Sequence, residues 1–300
     1  LKSKSQDELY YCGKLKMVLI KGNNLKYWFI GLLFLATIFV WYAVWLESRN
    51  GLLVAFLDVG QGDAIFIEAP NGNQVLLDAG PNKKVLSELS KIMPFYDRTI
   101  DMVIESHPDS DHIGGLIDIL RRYKIGVAME TGVDSDTVVY KTLENLIKEK
   151  EIKKIIVRRG MRINLDKGAY IDILFPDRDV SGWDTNDASI IARVVYGNNS
   201  FLLTGDAPQK MENYLVFIDG EKIKSNVLKL GHHGSKTSTS EIFLGYVNPD
   251  YAIISAGKDN KYGHPHKEVI DEMNQFKIPF LRTDEKGTIK IRSDGEEIIF

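Results

Sequence analysis

The sequence predicts an α/β domain of two β-sheets flanked by helices, preceded by one transmembrane helix. Three observations carry that expectation. Residues 28–46 form an uncharged apolar run, and residues 51–300 alternate short strand-like runs with helical patterns. The composition, 44% hydrophobic and 26% charged over 300 residues, suits a chain that buries a sizeable core, which excludes a disordered, collagenous or coiled-coil protein.

The apolar run, WFIGLLFLATIFVWYAVWL from Trp28 to Leu46, is long enough to cross roughly 30 Å of hydrocarbon as a helix. Tyr27 and Trp28 at one end, with Trp41, Tyr42 and Trp45 at the other, resemble interfacial aromatic belts. No small-residue cleavage site precedes Glu47. Lys2, Lys4, Lys14, Lys16, Lys21 and Lys26 precede the run and only Arg49 closely follows it, so the positive-inside bias places the N-terminus in the cytoplasm. The expected organisation is a basic cytoplasmic segment at 1–27, a single-pass anchor in the cell membrane at 28–46, and an extracytoplasmic hydrolase domain at 51–300. Charge divides the same way, with seven Lys/Arg against three Asp/Glu in residues 1–50 and 31 against 38, a net of −7, in residues 51–300. The first residue is Leu rather than Met, so a longer protein is expected.

Within the domain, LLVAFLD, AIFIEAP and QVLLDAG read as a β-meander with a turn at Asn71-Gly72-Asn73. DMVIES is a strand running into His107. IIVRRG, YIDILFP, ASIIARVVY, FLLTGD and NVLKLG supply a second strand-rich half, and YAIISAG a further strand. Helical patterns fall near Lys84 to Met93, Leu116 to Tyr123, Val139 to Glu149, Gln209 to Phe217, Glu241 to Val247 and Lys267 to Phe276.

Chemistry concentrates in the histidines. The single cysteine, Cys12, cannot form an internal disulfide or a zinc-thiolate cluster, so a metal site must use His and carboxylates. All six His sit in three short glycine-containing segments at strand ends: SHPDSDHIGG (His107, His112), GHHGS (His232, His233) and YGHPH (His264, His266). Two His and two Asp within six residues, His107, Asp109, Asp111 and His112, followed by Gly114-Gly115 at an expected helix start, read as a metal loop. Without a cation the acidic groups would repel one another.

SHPDSDHIGG resembles the H-x-[HD]-x-D-H signature of the metallo-β-lactamase superfamily, with Asp109 where many members carry His. FLDVGQGDA, LLDAG, NDAS, LLTGD, GHHGS and YGHPH follow in order over nearly all of residues 52–300. Together they resemble the hydrolase domain of ComEC-type DNA-uptake competence proteins and of their stand-alone relatives. The resemblance implies a four-layer αββα sandwich with its active site at one edge of the sheets. It also implies two divalent metal ions, one held by His107 and Asp109, the other by Asp111 and His112, with Asp206 bridging. A His from GHHGS completes the second position, and spacing does not decide between His232 and His233. The superfamily usually supplies another His between the first loop and the bridging Asp, and none lies between 112 and 232. Asn186, Asp187 and Ser189 of NDAS occupy that interval, either contributing oxygen near the first metal or, for Asn186, capping the turn before ASIIARVVY. Oxygen in place of nitrogen makes manganese competitive with zinc.

Two bridged cations suit in-line hydrolysis of a phosphodiester without a protein nucleophile. Asp111 is expected both to bind metal and to orient the attacking water. His264 and His266 are expected to stabilise the charged transition state or protonate the leaving oxygen, or alternatively to cap the helix that starts near Pro265. Ser235, Lys236 and Thr237 are candidate phosphate donors, and Asp58, Gln61, Asp63 and Asp78 candidate acceptors behind the ligand histidines. The expected function is a membrane-anchored phosphodiesterase or nuclease acting on DNA, partnered by a channel or uptake machinery. A cell-envelope or small-molecule phosphoester hydrolase, mildly favoured by the domain's negative charge, and a non-catalytic binding module are the alternatives.

Overall fold

The computed structural model describes residues 26–43, 51–166 and 168–300. The chain divides into two compact units, 1–50 and 51–300. The first contains α1 (Lys26–Ala43), 18 residues long and apolar enough to cross a membrane by length and composition. The lysines at 2–21 and the end of the expected anchor at 44–46 lie outside the described residues.

Residues 51–300 form a four-layer sandwich. One sheet comprises β1 (Leu52–Phe56), β2 (Ile65–Glu68), β3 (Gln74–Leu77), β4 (Thr99–Ile104), β5 (Lys124–Glu130), β6 (Lys153–Ile156), β14 (Ile289–Ser293) and β15 (Ile298–Ile299), in the order β15-β14-β1-β2-β3-β4-β5-β6. The other comprises β7 (Arg162–Asp166), β8 (Ala169–Phe175), β9 (Ile191–Tyr196), β10 (Asn199–Leu203), β11 (Val227–Lys229), β12 (Tyr251–Ile254) and β13 (Phe280–Arg282), in the order β13-β12-β11-β10-β9-β8-β7. Helices α2 (Lys84–Leu89), α3 (Ser110–Arg122) and α4 (Val138–Glu149) cover the first sheet; α5 (Gln209–Asp219), α6 (Glu241–Val247) and α7 (Lys267–Gln275) cover the second, and α8 (Thr283–Lys286) is a single turn.

The strands read as near-continuous apolar runs because both faces are buried. Along β1, Leu52, Val54 and Phe56 enter the core between the sheets, meeting Ile171, Val194 and Phe201, while Ala55 packs outward with Leu116 and Leu143 of α3 and α4. In β10, Phe201 and Leu203 face inward and Leu202 packs under α5 and α6. The meander is antiparallel through β3, after which β3 to β6 run parallel, as do β10 to β13. The C-terminal ends of β1, β3, β4, β10 and β11 therefore gather the loops of both sheets at one edge.

Strands β5, β7, β13, β14 and β15 were not anticipated by the periodicity. β14 adds beside β1, pairing Leu52 with Ser293, a contact between the two ends of the domain that local pattern cannot reveal. The expected helix start at Gly114-Gly115 is also corrected: α3 begins at Ser110 with Asp109 at its N-cap, so Asp111 and His112 lie in its first turn. The glycines serve packing instead. A Cβ on Gly114 would lie 2.2 Å from the Pro81 carbonyl oxygen, and one on Gly115 2.1 Å from that of Ala79. Only glycine lets α3 press its first turn onto this loop.

Candidate metal centre

β4 leads into Ser106 and His107, and the first turn of α3 returns His112 beside it, with ring centroids 4.1 Å apart and both rings buried. The second sheet supplies Asp206 after β10, and His232 and His233 from a 3₁₀ turn after β11. These two histidines lie at φ 49° and 57°, a left-handed region that non-glycine residues seldom adopt. Their rings consequently diverge by 78°. His233 Nε2 lies 3.4 Å from Asp206 Oδ2 and 3.4 Å from Asp111 Oδ2, and His232 Nε2 lies 3.7 Å from Asp206 Oδ2. His112 Nε2 lies 3.3 Å from Asp206 Oδ1, and His107 Nε2 3.7 Å from Asp109 Oδ2. Asp206 thus stands at the centre of the group.

The hydrogen bonds behind the rings set where each imidazole carries its proton. His112 Nδ1 donates to Asp78 Oδ2 at 2.8 Å, and His233 Nδ1 to the Ser255 carbonyl at 3.0 Å. Ser106 Oγ donates to Asp78 Oδ2 at 2.6 Å, so it accepts from His107 Nδ1 at 3.0 Å. In its neutral form each of the three rings therefore presents an Nε2 lone pair to the carboxylates. The turn at 262–266 is the reverse. Gln61 Oε1 accepts from the Gly257 N–H, which leaves Gln61 Nε2 as donor to His264 Nδ1 at 3.3 Å. The Lys236 N–H donates to His266 Nδ1 at 3.2 Å. Both of these rings keep their proton on Nε2.

The metallo-beta-lactamase superfamily model matches residues 57–258. The chain belongs to that superfamily. It is 33% identical over 257 residues to ComE operon protein 3 of Bacillus subtilis, covering 80% of this chain and 33% of the relative. It is 32% identical over 287 residues to competence protein ComA of Neisseria gonorrhoeae, covering 94% and 38%. The chain thus spans about a third of the length of these curated relatives. Among solved structures, the metallo hydrolase Igni18 of Ignicoccus hospitalis superposes with a TM-score of 0.52 at 16% identity over 79% of this chain and 98% of Igni18. The diiron beta-hydroxylase CmlA of Streptomyces venezuelae gives 0.53 at 13% over 81% and 54%. At such identities the likeness is one of fold.

The donor set fits cations. The Nε2 atoms of His107, His112 and His233 and Oδ1 of Asp206 are buried without a hydrogen-bond partner, which is costly unless a metal completes them. One ligand atom from each of Asp63, His112, Asp206 and His233 lies within 4.8 Å of the others. Asp63, however, is ion-paired with the buried Lys229, and its Oδ1 lies 3.4 Å from His233 Nδ1, on the side of the ring away from the other carboxylates. It is better placed behind the ring than at the metal. Burial, then His112, pushes the His107 imidazole down to about 3, so it stays neutral. Burial also disfavours charge on His112 and His233, but Asp206 and its neighbours outweigh it and raise both well above the ordinary range. Asp206, despite burial, is held well below the usual carboxylate range by His233 and His112. The raised values mark the pull of Asp206 and its neighbours on positive charge at these Nε2 atoms, charge that a bound cation would supply as it displaces the proton.

The remaining expected residues divide. Asp78 stands behind His112, and Ser189 Oγ accepts from the Asp206 N–H at 3.2 Å. Asp58 does not reach a ligand ring; its Oδ1 accepts from Lys84 Nζ at 2.7 Å and from the Gly60 N–H. Asn186 does not cap its turn through its side chain: Asp184 Oδ1 accepts from the Asn186 N–H, while Asn186 Oδ1 is buried without a partner. Asp187 pairs with Lys210. His266 occupies the N-cap position of α7 but makes no capping hydrogen bond. Thr237 Oγ1 lies 3.2 Å from His232 Nδ1 and 3.0 Å from Ser235 Oγ, whereas Lys236 is exposed. Sequence reasoning missed Ser106 and Lys229. Lys229 was findable: a lone cation inside the buried run NVLKL needs a carboxylate partner, and Asp63 supplies it while Lys229 Nζ also donates to the Gly205 carbonyl.

Proposed function

We propose that this chain is a membrane-anchored, extracytoplasmic dinuclear-metal hydrolase that cleaves phosphodiesters, with DNA as its substrate. The observation that carries this reading is the convergence of the His112 and His233 Nε2 atoms on Asp206, with His107 Nε2 beside Asp109, in a buried, carboxylate-rich pocket where these nitrogens have no hydrogen-bond partner. His107 and Asp109 would hold one ion, Asp111, His112 and His233 the other, with Asp206 between them and His232 at the partly exposed rim. Five carboxylates (Asp63, Asp78, Asp109, Asp111 and Asp206) against Lys229 leave four negative charges, the charge of two divalent ions. When bound, such ions lower the pKa of water and polarise a phosphoryl oxygen.

The chain's own groups do the rest. Asp111 orients the attacking water with the Oδ2 atom that faces His233. His264 and His266, with the proton on Nε2, donate to the phosphoryl group or the leaving oxygen. Burial, then the neighbouring His233 and His232, pushes His264 down to about 4, so it acts as a neutral donor. Ser235, Lys236 and Thr237 line the approach. The competence relatives favour DNA, and the six lysines before Trp28 favour export of the domain. The net charge of −7 on residues 51–300 favours a second reading, a smaller phosphoester of the cell envelope.

The test is to purify the full chain in detergent, load it with manganese or zinc, and compare cleavage of an oligonucleotide with that of a nitrophenyl phosphodiester. Oligonucleotide cleavage supports the DNA reading, cleavage of the small ester alone the second reading, and no hydrolysis with either cation would falsify both. For orientation, a reporter fused after Phe300 should behave as exported; a cytoplasmic signal would overturn that assignment.

A further inference from the structure

The second sheet has a cleft at the end of its strands away from the histidines, with a volume of about 500 Å³. Arg193, Ser200, Lys222, Lys224, Ser225 and Asn226 line it. Ser200 lies near the start of β10 and Asn226 just before β11, whereas Asp206 and His233 follow those strands. The three strand steps from Ser200 to Leu203, at about 3.3 Å each, put roughly 10 Å between Ser200 and the end of β10, and the turn at 204–206 that follows carries Asp206. It is a different place in the molecule.

The arginine in this cleft lacks the two-pronged carboxylate partner that four other arginines of the domain have. Arg159, Arg162, Arg178 and Arg282 each donate through two nitrogens to one carboxylate, those of Asp219, Asp172, Asp177 and Asp284. Arg193 is partly buried yet donates only to neutral oxygens: Nε to Ser225 Oγ at 3.2 Å, and Nη2 to Ser200 Oγ at 3.2 Å and the Lys224 carbonyl at 3.0 Å. Asp172, its neighbour across β8, is taken by Arg162. Burial, only partly offset by Tyr170 and Asp172, pushes Arg193 downward, where those four are raised by their carboxylates. Among the described residues, neither Lys222 nor Lys224 makes an ion pair. Glu221 and Asp250 also line the cleft; Asp250 Oδ2 accepts from Asn226 Nδ2 at 2.9 Å, and neither acid reaches Arg193. A partly buried guanidinium held in position by two hydroxyls and a carbonyl, with two unpaired ammonium groups lining the same cleft, is arranged for an anion with several oxygens.

We propose that this cleft is a phosphate-binding site in which Arg193, Lys222 and Lys224 engage one phosphate group. That chemistry is shared by soluble phosphate and by an anionic lipid headgroup, and one experiment separates them. The full chain is placed in phosphatidylcholine nanodiscs, and amide hydrogen exchange is followed across residues 221–226, far from the metal cluster, as inorganic phosphate is added. The same segment is then followed without phosphate in nanodiscs containing phosphatidylglycerol. Slowed exchange with inorganic phosphate identifies a soluble ligand, and slowing only with phosphatidylglycerol identifies the lipid headgroup. In either case Lys222→Ala/Lys224→Ala, which removes two exposed side chains and leaves the fold intact, should shift the midpoint by about tenfold or more, and Arg193→Gln should do the same. Unchanged exchange under both conditions overturns the proposal, as does protection that survives in the double lysine variant.

Discussion

The turn at His107–His112 and the turn at His264–His266 carry the same side chain and hold it in opposite tautomers. In the first, Ser106 and Asp78 take the Nδ1 protons, and the Nε2 lone pairs point at carboxylates. In the second, Gln61 and the Lys236 amide donate to Nδ1, and the Nε2 protons are left to give. His233 joins the first group through Ser255. The tautomer of each of these histidines is thus set by the group behind the ring rather than by the ring's distance from the centre. The rings of His233 and His264 are only 6.2 Å apart, yet one has the tautomer of a ligand and the other that of a donor.

The largest expected effect comes from the residue both groups surround. Asp206→Asn should abolish hydrolysis and lower bound metal, read together by elemental analysis and phosphodiester cleavage; full activity in this variant would break the reading at its centre. Next comes the contrast itself. His107→Ala, His112→Ala and His233→Ala should each lose metal, whereas His264→Ala and His266→Ala should keep two ions and lose roughly a hundredfold in turnover. If His266→Ala loses metal as fully as Asp206→Asn, the tautomer distinction fails and the 262–266 turn supplies a ligand.

Two smaller effects sharpen the comparison from behind the rings. Asp78→Asn should weaken metal affinity by about 10–100-fold without removing a ligand, because the replacement amide no longer fixes the His112 proton on Nδ1; a chelator competition titration reads this directly. Gln61→Ala should leave metal affinity unchanged and lower turnover by about two- to tenfold, the worth of one neutral hydrogen bond. An effect of Gln61→Ala on metal content would count against His264 as a donor.

Much of the architecture was legible from one sequence. Buried strands announce themselves as apolar runs, and helices α4 to α7 follow from their periodicity because neither depends on distant partners. The clustering of all six histidines at strand ends was equally local, and it located the candidate centre. What stayed hidden depended on pairs far apart in sequence. β14 exists as a strand because β1 lies beside it, Lys229 is tolerated because Asp63 meets it, and Asp58 turns to Lys84 rather than to a histidine.

The choice between His232 and His233 was also beyond spacing. Consecutive left-handed backbone at both positions turns one ring into the buried group beside Asp111 and leaves the other at the rim. Residue type and order determined which atoms could serve as ligands, since only imidazoles and carboxylates were available. Tertiary structure decided which nitrogen of each ring is free to serve, because a proton's place on an imidazole is fixed by a hydrogen bond, and here those bonds come from residues that the fold, not the sequence order, brings behind the rings.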